Sequence, residues 1–303
     1  MRIGVFFPSV EHVGIDAMVG KFTEIADAGF SSVWLPQNTS FDALTLLAVA
    51  GREVGRIELG TAVIPTFPRH PMVLAAQALT ANAAVGGRLV LGIGLSHKAT
   101  VEGRYGMSYD RPARHMSEYL SVLMPLVAGT EGDFTGETLS GHGSLALPGA
   151  TPMPVCLAAL QPAMLRLAGR CADGTITWCT GPVTLEEQIV PIITAAAGDA
   201  GKPGPRVVVA LPCCVTDDEG DGRAKADLQL HGYGQIPVYR AVLDREGASG
   251  PGDVAVVGDE ASVSAKLRRL AGIGATDFVA IPCGTPEDRR RTLSHLADLA
   301  QGS

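Results

Sequence analysis

The chain has 303 residues, of which 46% are hydrophobic and 18% charged, with a formal net charge of −7. That length suits one barrel-sized domain with an insertion, and that composition buries a large core, which excludes a disordered chain. The acidic balance argues against nucleic acid as a partner, and no apolar run approaches the roughly 20 residues that span a bilayer.

The first eight residues carry one early charge and a short apolar run with no small-residue cleavage site behind it. They read as a strand rather than a signal peptide, over residues 2–7. A helix follows near 15–28, with Met18, Phe22 and Ile25-Ala26 on one face. The second strand covers 32–35 and its helix 41–54. The third strand covers 57–63, and its helix starts at Pro71, a favourable first helical position, and runs to about residue 84. The fourth strand spans 88–93 and its helix 112–127, with Pro125 expected to kink or end it. Residues 129–152 break the rhythm with Gly, Thr and Ser and read as a hairpin-like insertion within a single domain.

The fifth strand, 154–158, leads to a helix from Pro162 to Cys171. The sixth, 175–178, leads to a helix over 185–197. The seventh covers 206–215 and is followed by one long helical region, 222–246. The Gly250-Pro251-Gly252 loop then leads to a helix over 260–271, and the eighth strand is 277–281. Thr285-Pro286-Glu287-Asp288 opens the last helix with a capping residue, a proline and acid in the first turn. Eight short β-branched runs alternating with helices predict βαβ units and a (β/α)8 barrel. The competing open doubly wound sheet would carry a Gly-rich fingerprint near the N-terminus, and none is present.

Barrel chemistry sits at the C-terminal ends of the strands. That rule selects Gln37-Asn38 after the second strand, Thr61-Ala62-Val63 in the third, and Gly92-Ile93-Gly94-Leu95-Ser96-His97 after the fourth. It also selects Ala158-Ala159-Leu160-Gln161 after the fifth strand and Trp178 at the end of the sixth. Gly92 and Gly94 either let backbone approach a flat ring or serve barrel packing, since a lone GxG is no dinucleotide fingerprint. His97, with an ordinary pKa near 6.5, is either a proton-handling group or a hydrogen-bonded loop residue. Trp178 lines a pocket or fills the core. Arg69 and His70 read as anchors at a helix start. Gly94-Leu95-Ser96-His97-Lys98 departs from a nucleophile elbow, because lysine replaces the last glycine, which argues against a serine hydrolase. No His, Cys or acid cluster has metal-ligand spacing. The six cysteines form no CxxC pair, and adjacent Cys213 and Cys214 point to opposite faces of a strand. They are expected as free thiols of a cytoplasmic protein.

Leu59-Gly60-Thr61-Ala62-Val63-Ile64-Pro65 with Arg69-His70-Pro71 resembles the third-strand segment of the bacterial-luciferase-like flavin and deazaflavin family. Arg88-Leu89-Val90-Leu91-Gly92-Ile93-Gly94 resembles its fourth strand. Ala158-Ala159-Leu160-Gln161-Pro162-Ala163-Met164 with Ala172-Asp173-Gly174 resembles its phosphate-end segment and sixth strand. The likeness runs through nearly the whole chain and is strongest to members using the deazaflavin coenzyme F420. Tyr105-Gly106-Met107 and Tyr109-Asp110-Arg111-Pro112 resemble an actinobacterial-type subgroup of them.

That resemblance implies a homodimeric luciferase-like barrel and a redox enzyme using F420, with FMN the alternative, on a small-molecule substrate. It implies a non-proline cis peptide at Ala62-Val63 behind the cofactor ring. It implies cofactor contacts from Gln37, Thr61, Ala62, Val63, Gly92, Gly94, Ser96, His97, Ala158, Ala159, Leu160, Gln161, Met164 and Trp178, with Ser96 and His97 as catalytic candidates. The helix starting at Leu160-Gln161-Pro162 would meet an anionic group. Gln37-Asn38 stands where many F420-dependent members carry Asp-His. Three functions compete: an F420-dependent oxidoreductase, an FMN-dependent monooxygenase, and a protein that binds the cofactor without turning it over.

Overall fold

A computed structural model describes residues 1–8 and 13–302. Its strands and helices, in chain order, begin with β1 (Arg2–Phe6), α1 (Ile15–Asp27), β2 (Ser32–Leu35), α2 (Ala43–Glu53), β3 (Glu58–Thr61), β4 (Ile64–Pro65), α3 (Pro71–Ala84) and β5 (Leu89–Gly94). Then come α4 (Lys98–Gly103), α5 (Pro112–Val127), the hairpin strands β6 (Gly132–Thr135) and β7 (Ser140–Gly143), β8 (Val155–Ala158), α6 (Pro162–Cys171) and β9 (Gly174–Trp178). The chain continues through α7 (Pro182–Thr184), a π turn (Leu185–Ile189), α8 (Val190–Asp199), β10 (Arg206–Val215), α9 (Glu219–Gly234) and α10 (Pro237–Arg245). It ends with β11 (Val256–Gly258), α11 (Glu260–Ile273), β12 (Asp277–Pro282) and α12 (Pro286–Gln301).

The parallel strands pair in the cycle β1, β2, β3, β5, β8, β9, β10, β12 and back to β1, which closes an eight-stranded barrel. The expected (β/α)8 architecture is therefore present. The antiparallel β6–β7 hairpin accounts for the insertion. It is tied down by Glu118 of α5, whose carboxylate accepts hydrogen bonds from the backbone N–H groups of Glu137, Thr138 and Leu139. His70 caps α3 through Met72 N and bonds Ser140 O at 3.0 Å, so it anchors the same hairpin. Thr285 is the expected cap of α12, and Asp288 returns a bond to its backbone N–H, so the two form a capping box.

Three expectations about elements change. The long helical region after the seventh barrel strand is two helices, because Pro237 cannot continue α9 and starts α10 instead. Val256–Gly258 forms a short strand, β11, on the outer edge of β10, where a loop alone was expected. The third barrel strand, expected to run unbroken over 57–63, is interrupted after Thr61, while the Ala62–Val63 peptide is cis, as the resemblance implied. Thr61 bridges the interruption: its hydroxyl accepts from Gly92 N and donates to Gly92 O, both at 2.8 Å. Those bonds satisfy backbone groups that the broken ladder leaves without strand partners.

The N-terminal end of the barrel is filled by Trp34, fully buried, whose indole N–H donates to Ser32 Oγ at 2.8 Å. A side chain at Gly60 would sit 2.2 Å from the Trp34 ring, so that position must be glycine. Arg206 lies over the ring at 5.5 Å and is clamped by Asp277 and Glu58, at 2.7 and 2.5 Å. Arg2 adds a second bridge to each carboxylate. With that end filled, the free volume of the barrel lies at its C-terminal mouth. Arg206→Ala would leave the Asp277 carboxylate, 1% exposed, without its inner partner. Because Arg2 still pairs with Asp277, we expect a loss of about 1–3 kcal/mol of unfolding free energy in a urea titration, the usual cost of removing hydrogen bonds to a buried charged group.

Candidate functional site at the barrel mouth

A cavity of about 560 Å³ opens over the C-terminal strand ends. That volume lies within the range of pockets that hold drug-sized ligands and cofactors. One side is small and apolar: Pro36, Ala62, Val63, Pro65 and Ala158. The other is aromatic. His97, Tyr239, Tyr233, Trp178 and Phe6 form a chain of neighbouring rings with successive centroids 5.6, 5.4, 5.4 and 5.1 Å apart. Gln37, Asn38, Ser96, Thr100 and Gln229 supply neutral polar groups. Among the described residues no carboxylate lines the cavity, and Arg104 is the lining residue with a permanent charge, with no ion pair.

Eight of the residues selected from sequence meet on this cavity: Gln37, Asn38, Ala62, Val63, Ser96, His97, Ala158 and Trp178. Thr61, Gly92 and Gly94 stand behind its wall. A side chain at Gly92 would fall 1.8 Å from Thr61 O, and one at Gly94 would fall 2.7 Å from a Val63 methyl. These glycines therefore make room for the neighbouring strand interruption. Ala159 is buried at the end of β8, while Leu160, Gln161 and Met164 surround the start of α6, outside the cavity lining. No side chain caps that helix, so its first N–H groups keep their capacity for an acceptor.

Ser96 has a left-handed backbone (φ 62°), uncommon for a non-glycine residue and costing about 1–2 kcal/mol. It turns the chain sharply between β5 and α4. Tyr109 donates to Ser96 O at 3.3 Å and supports that turn. His97 then lines the cavity with no hydrogen-bond partner for its ring among the described residues, and burial lowers its pKa below the usual 6.5. Gln37 is partly engaged, its carbonyl oxygen accepting from Ala43 N at 2.9 Å. The indole nitrogen of Trp178 is buried without a partner among the described residues.

Reading only strand tips missed Tyr233, Tyr239, Arg104 and Tyr105, which line the cavity from α9, α10 and the end of α4. The signal available was the pair of tyrosines flanking Pro237, a residue that forces a bend.

The closed parallel barrel, its filled lower end and its open, ring-lined mouth define a (β/α)8 scaffold with a cavity at the C-terminal strand ends. Residues 1–299 match the luciferase-like monooxygenase family, and the chain belongs to it. It is 26% identical to the 5,10-methylenetetrahydromethanopterin reductase of Methanolobus tindarius over 306 residues, 99% of this chain and 91% of that protein. Its fold matches the coenzyme F420 dependent tetrahydromethanopterin reductase of Methanopyrus kandleri with a TM-score of 0.81 and 19% identity, over 98% and 97% of the two chains. It also matches the FMN complex of the oxygenating constituent of 3,6-diketocamphane monooxygenase from Pseudomonas putida, with a TM-score of 0.74 and 16% identity, over 98% and 96%.

Burial also lowers the pKa of His115, which stacks on Phe67 at 4.0 Å and bonds the Thr66 hydroxyl outside the cavity lining. Both histidines bind fewer protons folded than unfolded at mildly acid pH, so stability rises with pH there. The urea midpoint should fall between about pH 7 and pH 5.5, and His115→Gln should flatten that slope. A slope unchanged by the substitution would show that His115 is not held neutral.

Proposed function

We propose that the chain is an F420-dependent oxidoreductase acting on a small organic molecule. The observation that carries this reading is the cavity at the barrel mouth, into which His97 brings an imidazole with no hydrogen-bond partner among the described residues. The similarity to the Methanolobus reductase over nearly the full length of both chains supports it.

The lining suits a flat anionic cofactor: small side chains on one side, rings on the other, and no opposing carboxylate among the described residues. When bound, a deazaflavin supplies a hydride at one ring carbon, with a proton exchanged at a ring nitrogen. Val63, Ala158 and Pro36 would bear on a planar ring, and Gln37 and Asn38 would serve its polar edge. Arg104 and the uncapped start of α6 would hold negative charge. His97, neutral near pH 7, offers one N–H donor and one acceptor nitrogen, so it can give or take a proton at the reacting centre. The aromatic wall limits water around that centre. Six free cysteines, five of them buried, agree with a cytoplasmic setting. Val73 and Leu228, exposed on α3 and α9, offer apolar surface for the homodimer that belongs to the same proposal.

A second reading, an FMN-dependent monooxygenase, rests on the shared fold with the FMN-bound protein. Parallel fluorescence titrations separate the two. We expect saturable quenching of F420 and no change with FMN at equal concentration. His97→Ala should leave F420 affinity within about twofold and lower the rate at which carbonyl acceptors reoxidise the reduced cofactor by roughly a hundredfold or more. Binding of FMN without F420, with NADPH-dependent oxygen uptake, would favour the second reading.

A further inference from the structure

The α9–α10 bend brings two tyrosines to one side of the cavity. Tyr233 lies in the last turn of α9 and Tyr239 in the first turn of α10. The bend is fixed by its own backbone: Ile236 N bonds Tyr233 O, and Tyr239 N bonds Ile236 O, both at 3.0 Å. Pro237 forbids a straight continuation. The Tyr239 ring stands 5.6 Å from the His97 imidazole at 68°, an edge-on contact, and 5.4 Å from Tyr233 at 80°. Tyr233 in turn meets Trp178 at 5.4 Å. Among the described residues the imidazole has no hydrogen bond to fix it, so it is oriented by what packs on it, and Tyr239 is the described ring that does so.

We propose that Tyr239 is a positioning residue for His97, and that the bend between α9 and α10 is the device that supplies it. The geometric claim concerns this chain alone. Its catalytic consequence rests on the reading of the cavity as a redox site. Among the described residues the other titratable and charged groups on this side of the cavity are Arg104 and Tyr105 from the end of α4, Tyr233 from α9, and Tyr109, whose hydroxyl bonds Ser96 O. Lys98, next in sequence, is exposed and pairs with Glu102. None of these interposes a carboxylate, so the surroundings of the His97 ring depend chiefly on the aromatic wall.

The test is histidine titration by NMR in the cofactor-free protein, with Tyr239→Phe, Tyr239→Leu and Tyr239→Ala. Burial lowers the wild-type His97 pKa. The Phe variant should keep that depression, because the ring remains. The Leu and Ala variants should move His97 back toward 6.5 and erase the ring-current shift of its C–H signals. The His115 resonance reports that each variant is folded, and the Leu variant serves if Ala does not fold. With F420 bound, the Phe variant should retain kcat and the Leu variant should lose roughly tenfold or more, with cofactor affinity little changed. An identical His97 titration in wild type and the Leu variant overturns the positioning role. Failure of wild-type protein to bind F420 overturns the functional reading and leaves the titration result standing.

Discussion

The arrangement depends on how the lower end of the barrel is filled. A closed eight-stranded barrel has an interior just wide enough for side chains. Here Trp34 takes that space near the N-terminal end, with Gly60 yielding room and Arg206 covering the ring. The guanidinium is held by two carboxylates from different strands, Glu58 at the start of β3 and Asp277 at the start of β12. One charged cluster therefore joins β3, β10 and β12 across the lumen. Because the lower half is packed, the upper half can stay open without costing the fold its core.

The open half is shaped by a second local constraint. Interrupting β3 after Thr61 moves Ala62 and Val63 to the cavity side, and the interruption is tolerated because the Thr61 hydroxyl bonds both backbone groups of Gly92. Gly92 and Gly94 on β5 accept the displaced backbone and the Val63 side chain. The result is a low, apolar step on one side of the cavity facing rings on the other. Charge is scarce there, and that scarcity gives the histidine its character. An imidazole among rings, with no described carboxylate in the lining, stays neutral and keeps both its donor and its acceptor.

Much of this was written in periodicity. Alternating strands and helices, Pro71, Pro162 and the Thr285 cap fixed the barrel and most helix starts from residue type alone. Strand-tip reasoning also selected eight cavity residues, because a barrel's open end lies at the C-terminal ends of its strands. It failed where geometry is set by long-range packing. Whether Gly92 faces a ligand or a neighbouring strand depends on Thr61, 31 residues away. β11 is too short to have a period, and exists because β10 outruns its barrel partner β9 and leaves an edge. Tyr233 and Tyr239 lie on helices, where no strand rule reaches, and the bend at Pro237 that aims them reads in sequence as one long helix.

We propose that the strand tips converge on a single planar ring whose anionic tail reaches the start of α6. A crystal structure of the protein with F420 tests it most directly. The account predicts the tricyclic ring in the mouth cavity, against Ala62–Val63 and within reach of His97, with the tail toward Gln161 and the first turn of α6. Density for the ring outside the barrel mouth, or a tail directed away from α6, would contradict it.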